Sequence, residues 1–331
     1  MIGSSSLISV HEAAALITAG APLLIAGDAE LLARLPSGQW IGGSIPYFMS
    51  TKGGLLSKDQ VFVTRLPKQL QLRGIRRYGP EELAPLFSDA PAHGLSFLLI
   101  PGNSPSHLRF ALEAPNLAGF GVQPAVGWVA GVDVAELGQK APLVFDGRSV
   151  EVLADAVLVM DFELSSEWVA DVEIINIFEP TDAPIIRFLE TGFEVKRALI
   201  DGEELGFAEY LRTHEIDLSR PLIADCSGAL VNTSFKAIAG EQVQFYAPVF
   251  ADVDYRLAKP LENYAQSFAQ QLEAQEGEPV FACNCILNYL YGGLEGKQTA
   301  GFLGPFTFGE IAYQLLNQTL VSVELRPAAL G

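Results

Sequence analysis

The chain has 331 residues, of which 21 are basic and 39 acidic, so its formal net charge is −18. Hydrophobic residues make up 49% of it and include 20 Phe and 9 Tyr, a composition that excludes a disordered chain because it demands a core. The negative charge would repel a polyanion, which excludes nucleic acid as the partner.

Membrane and secreted proteins are disfavoured as well. The apolar N-terminal stretch carries His11 and Glu12 without a basic region or a small-residue cleavage site, so it does not predict a signal peptide. No apolar stretch is long enough for a spanning helix. Cys226, Cys283 and Cys285 are too few, and odd in number, for a disulfide framework. We therefore expect a cytoplasmic protein with no membrane partner.

The N-terminal elements alternate between helix and strand. Ser9 and Glu12 have the spacing of a capping box, which predicts a helix that begins after Ser9 and ends at Gly20. The apolar run at residues 23–26 predicts a buried strand, and Asp28 after it predicts the cap of a helix over residues 29–35. Residues 40–48 and 61–63 predict two further strands.

The same order of helix, strand, helix, strand and strand is predicted again near the C terminus. Residues 20–24 compare with residues 277–281, which follow a predicted helix over residues 261–275. At nearly the same offset, Gly42 and Pro46 compare with Gly301 and Pro305, and residues 320–325 compare with the strand at 61–63. A weaker third copy is predicted over residues 97–162. The alternative is chance similarity between apolar strands.

The middle of the chain completes the prediction of the fold. A helix is predicted to start at Gly79-Pro80, a strand at residues 195–200 to end in the Asp201-Gly202 turn, and a helix to follow over residues 203–211. Further strands are predicted at residues 222–224 and 242–250. Two prolines and two acids in residues 179–184 indicate a boundary.

We therefore predict an α+β fold with mixed, largely antiparallel β-sheets flanked by helices. The predicted internal pseudo-repeat has helix-strand-helix-strand-strand units. The predicted domains are residues 1–180 and residues 181–331.

Common catalytic signatures are absent from the sequence. The sequence has no Walker A motif, strand-bound GxGxxG, HExxH or GxSxG. His11, His93, His107 and His214 lie far apart, and none has metal-ligand spacing with another ligand type. We therefore assign no catalytic residue and no metal ligand.

The segment Cys283-Asn284-Cys285 is the most reactive in appearance. In a strand both sulfurs face the same side, and a helix N-terminus directly after it would favour the thiolates. Such a pair could bind a soft metal or act in redox chemistry. The alternative is two small buried hydrophobic side chains beside a turn.

A glycine-rich segment over residues 301–311 predicts close approach of the backbone to a ligand. Phe306 and Phe308 alternate with Thr307, so one side would be apolar and the other polar. Glu310 could pair with a ligand ammonium or accept from backbone amides, and Asn317 follows at a turn. The alternative is a kinked strand in which Glu310 is simply solvated.

Three blocks of the sequence resemble the FIST sensory domain, named for F-box and intracellular signal transduction proteins. They are residues 195–211 with the Asp-Gly turn, residues 281–285, and residues 301–311 with 317–319. Residues 23–48 look like the corresponding N-terminal portion. The resemblance departs from the family where Ile286 follows Cys285, since an Arg is common after that strand, and no histidine falls inside the three blocks.

The resemblance implies a bacterial, intracellular, non-catalytic module that senses small molecules such as amino acids or metabolites. A separate signalling protein and a second copy in a homodimer are the further partners it suggests. No cofactor is expected, although some relatives are haem-containing gas sensors. The alternatives are a thiol- or metal-dependent enzyme that uses Cys283 and Cys285, a haem-based sensor, and a docking protein. The predicted ligand-binding residues are Cys283, Asn284, Cys285, Gly304, Phe306, Thr307, Phe308, Glu310 and Asn317.

Overall fold

The computed structural model describes residues 5–226, 228–261, 263–272, 279–299 and 302–328. The chain forms a mixed α+β fold in which most strand pairs are antiparallel, as the sequence predicts. Across these residues, no helix combines the length and the apolar character that crossing a membrane requires. The predicted glycine at position 301 and the start of the 277–281 comparison lie outside the described residues.

The first sheet is built almost entirely from the N-terminal part of the chain. Its six strands, in spatial order, are β1 (Ser5–Ser9), β6 (Gln60–Arg65), β2 (Leu23–Gly27), β3 (Trp40–Ser44), β10 (Val144–Asp146) and β11 (Glu151–Leu153). Strands β2 and β3 are parallel, and the other neighbours are antiparallel. The β10–β11 hairpin that completes this sheet comes from much later in the sequence.

The second sheet also has one parallel pair at its centre. Its strands, in spatial order, are β7 (Gln71–Tyr78), β12 (Val157–Glu163), β8 (Gly94–Pro101), β9 (Ala125–Ala130), β25 (Glu310–Ala312) and β26 (Gln314–Leu316). Strands β8 and β9 are parallel. The β25–β26 hairpin reaches this sheet from near the C terminus.

The third sheet joins strands from both ends of the chain. In spatial order they are β13 (Trp168–Ile175), β27 (Leu320–Pro327), β23 (Phe281–Cys285), β24 (Gly304–Thr307), β4 (Tyr47–Ser50) and β5 (Gly53–Leu56). Strands β23 and β24 are parallel, and β4 pairs antiparallel with β24. Strands from both sides of residue 180 therefore share sheets, and the division into two domains at that residue stays a prediction.

Two further sheets lie between β13 and β23 in the sequence. The fourth sheet has the order β17 (Glu203–Gly206), β16 (Arg197–Ile200), β14 (Ile186–Phe188), β22 (Tyr255–Leu257), β18 (Leu222–Cys226) and β19 (Ala229–Thr233). The fifth sheet has the order β15 (Gly192–Val195), β21 (Gln242–Val249) and β20 (Phe235–Ala239). Their buried side chains form a hydrophobic cluster of their own, which includes Phe188, Phe207 and Phe235.

Within the described residues, six α-helices connect or cover these sheets. They are α1 (Val10–Thr18), α2 (Ala29–Leu32), α3 (Pro105–Glu113), α4 (Phe207–Thr213), α5 (Tyr264–Leu272) and α6 (Ile286–Tyr291). Along the chain, helices α2, α3 and α6 each connect the two strands of a parallel pair. The largest hydrophobic cluster fills the space among the first three sheets, where the Trp128 ring stacks on Phe281 at 6.0 Å between centroids.

Several local predictions are confirmed. Ser9 caps α1 in a capping box with Glu12, and Gly20 follows the helix with φ +85°. Asp28 caps α2 through the Glu30 amide at 2.9 Å. The helix after Asp28 is shorter than predicted, since α2 ends at Leu32.

Two predicted elements are wrong. Residues 40–48 form two strands rather than one, because the chain leaves the first sheet after Ser44 and enters the third at Tyr47. The predicted helix over residues 203–211 begins only at Phe207. The preceding four residues, Glu203–Gly206, pair with Arg197–Ile200 as the second strand of a hairpin around the Asp201-Gly202 turn.

Candidate functional site

The predicted site residues come together where β23 and β24 run side by side. Asn284 lies opposite Phe306 in this parallel pair, and Cys285 lies opposite Thr307. Glu310 begins β25 directly after them, and Asn317 lies in the turn between β26 and β27. Of the nine predicted residues only Phe308 is half-buried, and the other eight are buried. The segment therefore lines the interior rather than an open surface.

Glu310 has no solvent-exposed area and keeps one carboxyl oxygen unpartnered. Its Oε2 accepts hydrogen bonds from the Thr319 amide at 3.2 Å and from the Thr319 hydroxyl at 2.8 Å. Its Oε1 has no hydrogen-bond partner. The alternative of a solvated Glu310 is therefore wrong, because its side chain is fully buried and its Oε2 bonds to Thr319 instead of water.

Two asparagines extend the polar group away from Glu310. Asn288 Nδ2 donates to Asn284 Oδ1 at 2.8 Å and to the Thr319 carbonyl at 3.4 Å. The Cys285 amide also donates to the Thr319 carbonyl, at 3.2 Å. Asn284 Nδ2 and Asn288 Oδ1 have no partner, although both side chains are fully buried. Thr319 therefore links Glu310 to both asparagines.

Thr307 and Asn317 complete the polar groups in this region. The Thr307 hydroxyl lies within hydrogen-bond distance of two carbonyl acceptors, that of Gly309 at 3.1 Å and that of Asn284 at 3.3 Å. Asn317 Nδ2 donates to the Leu316 carbonyl at 3.0 Å, and its Oδ1 is unpartnered. The residues Asn284, Cys285, Asn288, Thr307, Glu310, Asn317 and Thr319 form what we call the Glu310 cluster.

Burial sets the protonation of this cluster. It raises the pKa of Glu310 to about 8, against the two hydrogen bonds from Thr319 and the nearby side chains of Cys285 and Thr307, which act to lower it. Burial and the charge of Glu310 also raise the pKa of the Cys283 and Cys285 thiols well above the ordinary value. The predicted preference for thiolates is therefore wrong, although Cys285 is the N-cap of α6. Desolvation outweighs the dipole of so short a helix.

The apolar members of the predicted site pack rather than line an opening. A side chain on Gly304 would place its Cβ 2.3 Å from the Ala282 carbonyl oxygen, so only glycine lets β24 approach β23 here. The Phe306 ring contacts Tyr289 at 4.9 Å between centroids. Phe308 covers Gly131, where a Cβ would lie 2.3 Å from the ring.

The sequence of the chain matches the model of a family of unknown function, DUF6976, over residues 8–326. The protein belongs to this family. A search of the curated proteins finds no match.

In this member of DUF6976, two residues of the Glu310 cluster, Asn288 and Thr319, are not among the predicted ligand-binding residues. Asn288 lies four residues after Asn284, a spacing that brings both amides together at the start of α6. Thr319 and Gln318 lie beside the predicted Asn317. Gln318, with φ +51°, donates to Tyr264 Oη at 2.8 Å and to the Ser219 carbonyl. Only the Asn284–Asn288 spacing was a usable signal in the sequence.

Three tyrosines and one acid lie within electrostatic range of the Cys285 side of the cluster. Burial is the main cause of a raised pKa at Tyr246, Tyr264 and Tyr291, and the charge of Cys285 adds to it in each case. Asp217 acts in the same direction on Tyr264 and Tyr291. The rings of Tyr246 and Tyr291 are 38% and 42% exposed, so they are the surface side of this region. We call these four residues the tyrosine entrance.

The region has no metal-binding arrangement in the part of the chain that is described. Among those residues, no group of three or more His, Cys, Asp and Glu side chains could hold a metal ion. The Glu310 cluster contains no histidine, so a haem iron bound there would lack its commonest axial ligand. His107 is buried elsewhere, with Nδ1 accepting from the Asn103 amide at 3.1 Å.

Proposed function

We propose that the protein binds and senses a small molecule, such as an amino acid or a related metabolite, as the FIST resemblance implies. The Glu310 cluster is the binding site in this proposal. The observation that carries it is the fully buried carboxyl group of Glu310, whose Oε1 has no partner. Binding rather than catalysis is proposed, because burial keeps both nearby thiols protonated and so poor nucleophiles.

The energetic cost of the cluster supports a role in binding. A buried polar atom without a partner costs about 1–3 kcal/mol. Four such atoms belong to the cluster: Asn284 Nδ2, Asn288 Oδ1, Glu310 Oε1 and Asn317 Oδ1. A bound molecule that offers hydrogen bonds to these atoms would offset this cost in the complex, which is the behaviour expected of a ligand site.

We also propose that the first three sheets are copies of one repeated unit, as the predicted pseudo-repeat implies. Each has the same spatial order: an outer strand, the last strand of the unit, a parallel pair joined by a helix, and a hairpin from another unit. The register supports the proposal too. The parallel pairs end on matching partners, which are Gly27 with Ser44, Pro101 with Ala130, and Cys285 with Thr307.

This correspondence supports the location of the site. Gly42, Trp128 and Pro305 each stand two residues before the last paired residue of the second strand in their parallel pair. Opposite them lie residues of the hairpin from another unit: Phe145 opposite Gly42, Glu310 opposite Trp128, and Phe48 opposite Pro305. Glu310 thus occupies a position that the other two sheets fill with a buried phenylalanine. Polarity at this position belongs to one hairpin alone, which is typical of a functional site rather than of the fold.

The proposal is tested by a thermal-shift screen of the full chain with amino acids and related metabolites. A ligand present at about 100 times its Kd stabilises the folded protein by roughly 2.7 kcal/mol, which raises Tm by several degrees. We expect at least one compound to raise the Tm of the wild type, and Glu310→Gln to remove that response.

Glu324→Gln is the matched control. Glu324 is also a buried carboxylate, but it lies on β27 and pairs with Arg326 outside the cluster. The response to the ligand is expected to survive this change. No stabilisation by any compound at millimolar excess, or equal loss in both variants, contradicts the proposal.

Thiol titration separates this function from a thiol-dependent enzyme. In a Cys226→Ser background, Cys283 and Cys285 are expected to react with an aromatic disulfide reagent at pH 7 only after unfolding, because both are buried with a raised pKa. Rapid reaction of either thiol in the folded protein would favour the enzyme. A haem sensor would instead bind added haem, which visible absorption detects.

A further inference from the structure

The unpartnered atoms of the Glu310 cluster are mostly acceptors. Glu310 Oε1, Asn288 Oδ1 and Asn317 Oδ1 accept hydrogen bonds, and only Asn284 Nδ2 donates. A primary ammonium group has three N–H donors and no acceptor. Among the residues that the structure describes, no Lys, Arg or His forms a salt bridge with Glu310. The cluster therefore offers an unmatched carboxyl group with acceptors and no cation to neutralise it.

The tyrosine entrance also suits a cation. Tyr246 and Tyr291 are partly exposed aromatic residues, at 38% and 42%. The face of an aromatic ring attracts a cation. The exposed carboxylate of Asp217 lies near Tyr264 and Tyr291 and adds negative charge there. Tyr264 Oη accepts a hydrogen bond from Gln318 at 2.8 Å, and Gln318 directly precedes Thr319, which donates to Glu310.

We propose that the ligand is a small molecule with a protonated primary amine, which enters at the tyrosine entrance and binds with its ammonium group on the Glu310 carboxylate. Glu310 releases its proton to solvent as the ammonium group arrives, so one positive charge replaces another. This inference rests on the proposed function and names the chemical class of its ligand.

Proton release follows from the charge balance. In the free protein burial raises the pKa of Glu310 to about 8, so at pH 7 its carboxyl group is about nine-tenths protonated. A bound ammonium group favours the ionised form. Binding at pH 7 should therefore release about 0.9 proton per ligand, and the affinity should rise about ninefold from pH 6 to pH 7 and about fivefold from pH 7 to pH 8.

Isothermal titration calorimetry of the full chain tests this with matched probes. Ethylamine, ethanolamine and propane-1,3-diamine are the amines, and propionate and propionamide are the anionic and neutral controls. Each is titrated at pH 7 in two buffers of different ionisation enthalpy, which gives the number of protons released. We expect the amines to bind with proton release, and propionate and propionamide to bind at least about tenfold more weakly.

Variants then locate the binding. Glu310→Gln should weaken amine binding at least about tenfold at pH 8 and abolish proton release, whereas Glu324→Gln should change neither. Because proton release is measured on the wild type, the test does not depend on the folding of Glu310→Gln. Tyr291→Leu should weaken amine binding by a smaller factor, since it removes one aromatic face of the entrance.

The outcomes separate the two proposals. If a neutral or anionic compound binds in a way that needs Glu310 while amines do not, the sensing function stands and the amine proposal is overturned. Amine binding without proton release also overturns it. If no compound of either screen binds, both proposals fail together with the site.

Discussion

The first and third sheets place very different side chains on the same framework. The parallel strand β2 ends in Ile25, Ala26 and Gly27, whereas β23, which stands at the same place in its sheet, ends in Cys283-Asn284-Cys285. Both strands are fully buried. The apolar version indicates that this strand order closes without polar groups, which agrees with the binding role proposed for the polar version.

The difference extends to the last strand of each unit. Ile25 pairs with Val63 on β6, and Cys283 pairs with Val321 on β27. Two residues before these partners lie Val61 in the first sheet and Thr319 in the third. Thr319 is the residue that donates to Glu310. Strand end and last strand thus both change from apolar to polar in the third sheet, and the hairpin that carries Glu310 comes from the second. A coordinated change of this kind teaches more than any single buried polar residue.

Placing a carboxylate at the apolar hairpin position of Phe48 is expected to have the largest effect. Phe48 is fully buried and stacks on Phe62 at 6.1 Å between centroids. Phe48→Glu should lower the free energy of unfolding by more than about 5 kcal/mol, since it deletes a ring and buries a carboxyl group without donors. Urea denaturation measures the change. Phe48→Leu is the control, with an expected cost of about 1 kcal/mol. Equal costs would remove the contrast between the two positions.

The stability of the wild type is expected to depend on pH through Glu310. Burial raises its pKa from 4.5 to about 8, so the folded protein binds this proton more tightly than the unfolded chain. The resulting stability is fully present below pH 4.5 and is lost as the pH rises toward 8. Relative to Glu310→Gln, the wild type should lose on the order of 4 kcal/mol across that window.

Urea denaturation of both proteins at pH 5, 6, 7 and 8 gives this difference directly, and Glu324→Gln again serves as the control. Parallel pH profiles for the wild type and Glu310→Gln would mean that Glu310 is ionised in the folded protein. The contrast with Phe48 would then have to rest on shape rather than on charge.

The asparagine pair is expected to contribute least. A double-mutant cycle with Asn284→Ala and Asn288→Ala should give a coupling energy of about 1 kcal/mol, because a single hydrogen bond at 2.8 Å joins the two side chains. The pair Asn176 and Asn232 is a matched comparison, since each of its amides donates to the other. We expect the stronger coupling there. The opposite order would indicate that Asn284 and Asn288 are satisfied in a way their geometry does not suggest.

Local signals made much of the fold predictable. The capping box at Ser9 and the apolar run at residues 23–26 lie where their patterns indicate, since both depend on neighbours in sequence. The helix predicted at residues 203–211 failed for a related reason. The Asp201-Gly202 turn is predicted correctly, but the four residues after it form the returning strand of a hairpin rather than the start of α4.

The candidate site could be predicted only in part. The chemistry of Glu310 and of Cys283-Asn284-Cys285 stands out in the sequence, because these residues interrupt apolar stretches. Their burial cannot be read from the sequence, because it depends on contacts with strands such as β9, which pairs with β25 from nearly 200 residues earlier in the chain. The alternative of a solvated Glu310 could not be removed without that long-range pairing. The same is true of Thr319, whose role follows only from where its strand lies.

The hairpins at the outer edges of the first three sheets bear on how the chain behaves when it is cut. Strands β4–β5 complete the third sheet, β10–β11 the first and β25–β26 the second, so these sheets are linked in a closed ring. Fragments 1–180 and 181–331 would each carry strands that the other needs. Neither fragment should fold fully by itself, yet the two together should reassemble without a peptide bond between them. The protein is thus a natural candidate for split-protein complementation.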